Sequence, residues 1–166
     1  MMDFNFELAT QADDQAIRKL LASSVMPGRI AVTFEREPDY FLGCSTMGSL
    51  TQVVIARHIP SGEIAGMMVR ASRQYFINGK ARELGYIGQI RIAEKYRRLR
   101  LVSRGLPFFQ QLVADGRTNV YYGVISNENQ AARRLLVDRH WQNFPFAQEV
   151  ANIYTLGIIL RKPKTL

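Results

Sequence analysis

The spacing of apolar side chains changes period several times along this chain, and each change marks the start of an element. Phe4, Phe6 and Leu8 alternate with Asn5 and Glu7, the two-residue period of a strand with one buried face. Helical spacing then takes over. Ala16, Ile17, Leu20 and Leu21 follow Thr10, Asp13 and Asp14, residues that cap or favour a helix amino terminus, so a helix is predicted over about 12–24. Between Pro27 and Ser49 the periods mix, and a second short helix is placed around 38–45.

Three β-rich runs come next: TQVVIARHI, EIAGMMVRASRQYFI and ARELGYIGQIRIA. Pro60-Ser61-Gly62 and Asn78-Gly79-Lys80 join them, turn chemistry that predicts an antiparallel meander. From Ser103 the residues Leu106, Phe109, Leu112 and Val113 return to helical spacing, and Gly116 stands where a left-handed residue would end that helix. Pro107 lacks an amide donor and disfavours the α conformation at Leu106, so this helix is expected to start late or to kink. VYYGVIS reads as a buried strand. Asn127 and Gln130 form a capping pair for the helix in NENQAARRLLVDRH, and EVANIYTLGIIL supplies one or two closing strands.

The helix between the third meander strand and VYYGVIS makes those two strands a parallel β-α-β pair within an otherwise antiparallel sheet. The expected fold class is therefore α/β (α+β): a mixed, mostly antiparallel central sheet of about six to seven strands flanked by about four helices. With 47% hydrophobic residues in 166, the chain suits one domain over residues 1–166. No period repeats as in a solenoid.

Composition narrows the function. No run approaches the roughly 18 apolar residues of a membrane span, and the acidic amino terminus has no apolar core, so a cytoplasmic location is expected. The single cysteine, Cys44, reads as a packing residue, and no Cys/His spacing points to a metal. G-x-S-x-G, H-E-x-x-H and P-loop patterns are absent. His58, before a turn, and His140, at a helix end, read as structural or exposed, and Trp141, Phe144, Phe146, Tyr121, Tyr122 and Tyr154 as core.

Charge changes the picture more. Of the net +8, Arg91, Lys95, Arg97, Arg98, Arg100 and Arg104 against Glu94 place most in one short segment between a strand and a helix. Backbone amides at a helix start and several guanidinium groups converge there, which suits a phosphate-bearing ligand. The basic residues lack the aromatic interleaving of a nucleic-acid groove, so nucleic acid is not the expected partner.

Ile90-Arg91-Ile92-Ala93-Glu94, then Tyr96-Arg97-Arg98, and farther on Asn129-Gln130-Ala131-Ala132-Arg133-Arg134-Leu135, occupy the places of two motifs of the GCN5-related N-acyltransferase superfamily. The chain resembles that family in element order over nearly its whole length. The resemblance implies a cofactor of acetyl-CoA or another acyl-CoA. Its pantetheine would bond to backbone at Ile90, Arg91, Ile92 and Ala93. Its pyrophosphate would lie over Arg97, Arg98, Arg100, Leu101, Val102 and Ser103, with Arg104 completing the basic run. Asn129 would face the arm, and a small-molecule amine acceptor would enter from the opposite side, over the meander.

The chain departs from the family pattern at four places. Arg100 and Val102 stand where the family has small residues, and Tyr86 and Leu136 where it often has Glu and Tyr. Tyr86, Gln89 and Glu83 are the remaining candidates to carry protons, through a held water. The first functional expectation is an N-acyltransferase acting on a primary amine of a small molecule or amino acid. The alternatives are a synthase that takes its acyl group from acyl carrier protein phosphopantetheine, with Arg98, Arg100, Arg104, Arg133 and Arg134 docking the carrier, and a non-catalytic acyl-thioester-binding module. Self-association as a homodimer is compatible with each.

Overall fold

The computed structural model describes residues 3–26, 31–138 and 147–154. Strand β1 (Phe4–Leu8) leads through a 3-10 turn (Gln11–Asp13) into helix α1 (Asp14–Ser23). Helix α2 (Tyr40–Cys44) follows, and then strands β2 (Leu50–His58), β3 (Ile64–Ile77) and β4 (Lys80–Ile92). A 3-10 segment (Glu94–Leu99), α3 (Leu101–Val113), β5 (Tyr121–Tyr122) and α4 (Gln130–Leu136) complete the elements. The strands lie in sequence order, antiparallel from β1 to β4 and parallel between β4 and β5.

Local chemistry accounts for the meander. Asn78 and Gly79 both take positive φ, 51° and 75°, the conformation a two-residue hairpin turn between twisted strands requires. Period-two alternation then sorts side chains to the two faces. Val53, Ile55, Met67, Val69 and Ala71 pack with Ile17, Leu20, Leu21 and Tyr40 beneath α1 and α2. On the other face Phe4, Ala56, Ala65, Tyr96 and Leu101 form the cluster under α3. Burying each large apolar side chain contributes roughly 1.5–3 kcal/mol, so the two layers together hold the sheet against its conformational entropy.

Several expectations are corrected. The described sheet has five strands where six to seven were expected, because the closing run EVANIYTLGIIL adds none among its described residues, and VYYGVIS contributes only Tyr121–Tyr122. β4 bulges away just beyond that point and leaves Gly123 to Ser126 without a partner edge. Residues 149–154 of that closing run carry no strand, and the rest of it lies outside the described residues. Helix α3 does not start late: it begins at Leu101 and includes Pro107. Proline in a helix costs about 3 kcal/mol, a loss offset by the burial of Leu101 and Phe109.

Asn129, not Asn127, caps α4, its Oδ1 accepting from the Ala132 amide at 3.0 Å, while the Asn127 side chain donates to Asn152. Tyr122 and Tyr154 are not core residues, with exposures of 40% and 83%. Cys44 is buried in the α1–α2 layer, and the His58 ring packs against Phe4 and Tyr96. His140, Trp141, Phe144 and Phe146 lie outside the described residues.

Candidate active site

The site begins with a break in β4. Gly88 pairs with Val69 and Arg91 with Met67, so Gln89 and Ile90 together oppose the single residue Met68. Gln89 adopts φ 51°, a left-handed conformation that a non-glycine residue enters at a cost of about 1–2 kcal/mol. Packing holds it there: Gln89 is buried, its Oε1 accepts from the Tyr40 hydroxyl at 2.7 Å, and its Nε2 meets Met47 Sδ at 3.7 Å.

The bulge opens the parallel pair. Gly85 donates its amide to Val120, and pairing ends at Tyr86 with Tyr122. Gly123 still lies close, since a Cβ there would stand 2.8 Å from the Ile87 carbonyl oxygen. Farther on, Ala93 donates to Ala65 on β3, and alternation turns the amide and carbonyl of Ile92 to the opposite side, where β5 no longer pairs. The bulge sets Ile90 the same way. Arg91 Nη1 reaches the Ile90 carbonyl at 3.0 Å and Arg97 Nε the Ile92 carbonyl at 3.5 Å. These two β4 residues turn their backbone to an edge that no strand pairs, where arginine side chains meet both carbonyls.

At the end of that edge stands the start of α3. Arg100 takes φ 55° and ψ 36°, turning the chain into the helix as a glycine would. The first amide to close back is that of Arg104, onto the Arg100 carbonyl at 3.1 Å, and Ser103 Oγ shares that carbonyl at 2.9 Å. The amides of Leu101, Val102 and Ser103 precede it and have no partner inside the helix, which leaves the positive end of the helix dipole toward the open edge. Arg97, Arg98 and Arg100 are exposed and make no ion pair among the described residues. Arg104 turns away, its guanidinium 5.0 Å from the Phe4 ring centre. Lys95 pairs with Glu63.

Polar groups on the α1–α2 face of β4 lie close to the bulge. Tyr86 folds along the strand so that a Cβ on Gly88 would stand 2.0 Å from its hydroxyl oxygen. Burial pushes the Tyr86 phenol above its ordinary value, with Arg91 and Arg36 pulling the other way, so it stays protonated at neutral pH. The Tyr40 phenol is also raised by burial. The Tyr122 ring lies tilted with its centre 5.2 Å from that of Tyr86, and its hydrogen bond with Tyr75 takes the Tyr122 phenol up to about 12.

Of the three proton-carrying candidates, Tyr86 and Gln89 come together, and Glu83 does not join them. Glu83 shares its face with Ser72 and Arg70, on the α3 side, where it accepts from Ser72 Oγ at 2.5 Å. Asn129 has its Oδ1 engaged in capping α4. Sequence reasoning missed Tyr40 and Arg36, whose importance depends on contacts across the sheet. It also missed the bulge, although a signal was present: apolar residues of the α3 face shift from Ile87 to Ile90 and Ile92, a change of parity.

No group of three or more His, Cys, Asp or Glu that could hold a metal occurs among the described residues, and no helix there is long and apolar enough to cross a membrane. No family model matches the chain, and no curated protein matches it significantly. Solved structures do. A transcriptional regulator from Bacillus halodurans C-125 superposes with a TM-score of 0.64 at 13% identity, over 89% of this chain and 99% of that one. Glucosamine-6-phosphate N-acetyltransferase from Arabidopsis thaliana gives 0.58 at 14% identity, with the same coverages of 89% and 99%. An acetyltransferase from Trypanosoma brucei gives 0.59 at 14%, over 88% and 100%. The fold is that of the GCN5-related N-acyltransferases. Along this fold the bulged β4, the edge that β5 leaves unpaired and the amino end of α3 follow one another in sequence, with Tyr86 just before the bulge.

Proposed function

We propose that this protein is an N-acyltransferase that moves an acetyl or longer acyl group from an acyl-CoA thioester to a primary amine of a small molecule or amino acid. The observation that carries the reading is the unpaired β4 edge at Ile90 and Ile92 leading directly to the free amides of Leu101 to Ser103. An extended amide-bearing arm ending in a pyrophosphate fits a row of strand donors and acceptors followed by an anion-binding helix start. The Cβ of Arg100 narrows backbone approach, yet the left-handed turn that aims those amides is kept.

When bound, acyl-CoA supplies an activated carbonyl: the acceptor nitrogen forms the C–N bond, the C–S bond breaks, and the proton lost by nitrogen ends on sulfur. Ile90 and Ile92 hold the arm through their backbone, and Arg97 and Arg98 meet the phosphates. Tyr86 serves the reacting end, its phenol kept protonated by burial and able to donate a hydrogen bond to developing negative charge. Gln89, fixed by Tyr40, keeps the bulge in shape. Juxtaposition of thioester and amine supplies the remainder.

Calorimetric titration with acetyl-CoA tests the reading. The expected result is binding that weakens about tenfold or more when Arg97 and Arg98 are both changed to alanine, the scale for losing charge-assisted contacts. Tyr86→Phe should lower kcat by about 10²-fold with little change in donor affinity. A carrier-dependent enzyme is the second reading, favoured by the Arg100 side chain at the cradle, because a carrier presents one phosphate. It predicts binding of an acylated carrier protein without binding of acetyl-CoA. Failure of both ligands to bind overturns the acyltransferase assignment.

A further inference from the structure

Two half-buried arginines beside Tyr86 lack the acidic partner that the buried Arg70 has. Arg70, fully buried, is met by Asp115, Gln52 and Tyr121. Arg91 differs. It projects from β4 just past the bulge, on the face shared with Tyr86 and Met67, and among the described residues its guanidinium meets the Ile90 carbonyl and Met26 Sδ, at 3.0 and 3.4 Å. Its Nε is buried with no hydrogen-bond partner.

Arg36 approaches the same place from the segment between α1 and α2. Its guanidinium lies 5.3 Å from the Phe34 ring centre and 5.8 Å from that of Tyr40, and it folds over Gly43, where a Cβ would stand 2.7 Å from Nη1. Aromatic rings take the guanidinium faces, which leaves its in-plane N–H groups to find acceptors. Arg36 Nη1 is also buried and unpartnered.

No Asp or Glu side chain answers either group. All 14 Asp and Glu residues of the sequence fall within the described segments, so none is concealed elsewhere. None of the ion pairs among them includes Arg36 or Arg91. Burying an uncompensated guanidinium N–H is costly, and here it happens twice around one pair of phenols. Burial also draws the Arg91 guanidinium below its ordinary value, with Tyr86 and Tyr40 opposing.

We infer that Arg91 and Arg36 form an oxyanion subsite, so that the amine acceptor carries a carboxylate or phosphate seated between β4 and the α1–α2 segment. The inference rests on the acyltransferase reading for the word acceptor, while the anion site stands on the two arginines alone. Arg91 grips the anion at the strand, Arg36 closes over it from the α1–α2 side, and the hydroxyl of Tyr86 lies between them and the reacting end. A neutral amine would leave both guanidinium groups unsatisfied, a discrimination of the kind that buried polar groups impose.

The test uses N-acetylglycine and its carboxamide, N-acetylglycinamide, as a matched pair differing in charge, together with inorganic phosphate. Each is titrated into the intact protein in low-salt buffer and followed by calorimetry. The carboxylate should bind at least about tenfold more tightly than the amide, the scale of one charge-assisted contact. Arg91→Gln and Arg36→Gln should each lower carboxylate or phosphate affinity about tenfold, and Arg91→Lys should retain part of it. Equal binding of acid and amide, no binding of either anion, or unchanged affinity in both glutamine variants overturns the proposal. The acid–amide comparison needs no variant, so misfolding of a mutant does not spoil it. Anion binding with neither acetyl-CoA nor an acylated carrier protein bound would fail the acyltransferase reading and leave this site standing.

Discussion

Replacing Asp115 with alanine should destabilise the protein severely, because the carboxylate neutralises a cation that has no water. The Arg70 side chain is 0% exposed, whereas Asp115 is 32% exposed. Arg70 Nη2 donates to Oδ1 at 2.7 Å and Nη1 to Oδ2 at 2.9 Å, a two-pronged pair that ties the end of α3 to β3. After truncation only Gln52 Oε1, at 2.6 Å, and the Tyr121 hydroxyl, at 2.9 Å, remain to Arg70, and neither carries charge. Leaving a buried charge uncompensated costs about 3–5 kcal/mol, a large part of the roughly 5–15 kcal/mol a domain has in all. At about 2–4 °C per kcal/mol for a chain of this size, the melting temperature should fall by roughly 6 to 20 °C.

Scanning calorimetry at neutral pH reads this directly, and the pH dependence has a definite sign. The Arg70 hydrogen bonds hold the Asp115 carboxyl below its ordinary value of 3.8. Its contribution is therefore complete above that value and is lost as pH falls through the lower folded value. The gap in melting temperature between wild type and Asp115→Asn should be wide at pH 6 and close below about pH 4. A change within about 2 °C for Asp115→Ala at neutral pH, less than 1 kcal/mol, would refute the reasoning and mean that Arg70 is solvated. Removing both charges with Arg70→Met and Asp115→Leu should recover most of the loss.

Arg100→Gly should raise the melting temperature by a few degrees in a thermal scan, since about 1–2 kcal/mol of left-handed strain is relieved against about 0.5–1 kcal/mol of added chain entropy. A fall would contradict the φ of 55°. Gly88→Ala places a methyl 2.0 Å from the Tyr86 hydroxyl oxygen and must displace it, so acyl transfer should drop about as far as in Tyr86→Phe, with acetyl-CoA affinity retained. Steady-state kinetics and calorimetry on the same preparation separate the two effects. Asn129→Ala removes the acceptor for the Ala132 amide and should cost about 1 kcal/mol, seen as faster hydrogen exchange at the start of α4.

Much of this protein could be read from order and period alone. The alternation of Phe4, Phe6 and Leu8, the helical spacing of Ile17, Leu20 and Leu21, and the Asn78-Gly79 turn are decided by local sterics and by one buried face. Each element therefore forms where its own residues direct. The same holds for the basic run between β4 and α3 and for the parallel β4–β5 pair that a helical crossover imposes.

Tertiary structure alone decided the rest. The bulge at Gln89 is a non-glycine residue held left-handed by Tyr40, 49 positions away in sequence, and no local preference favours it. That one inserted residue turns Arg91 onto the face of Tyr86, and packing of the α1–α2 segment brings Arg36 to meet it. Glu83, close to Tyr86 in sequence, goes to the opposite face because strand alternation separates odd from even positions. Sequence distance carried the elements; only the sheet, with its register broken at one place, determined which charges would face each other without a partner.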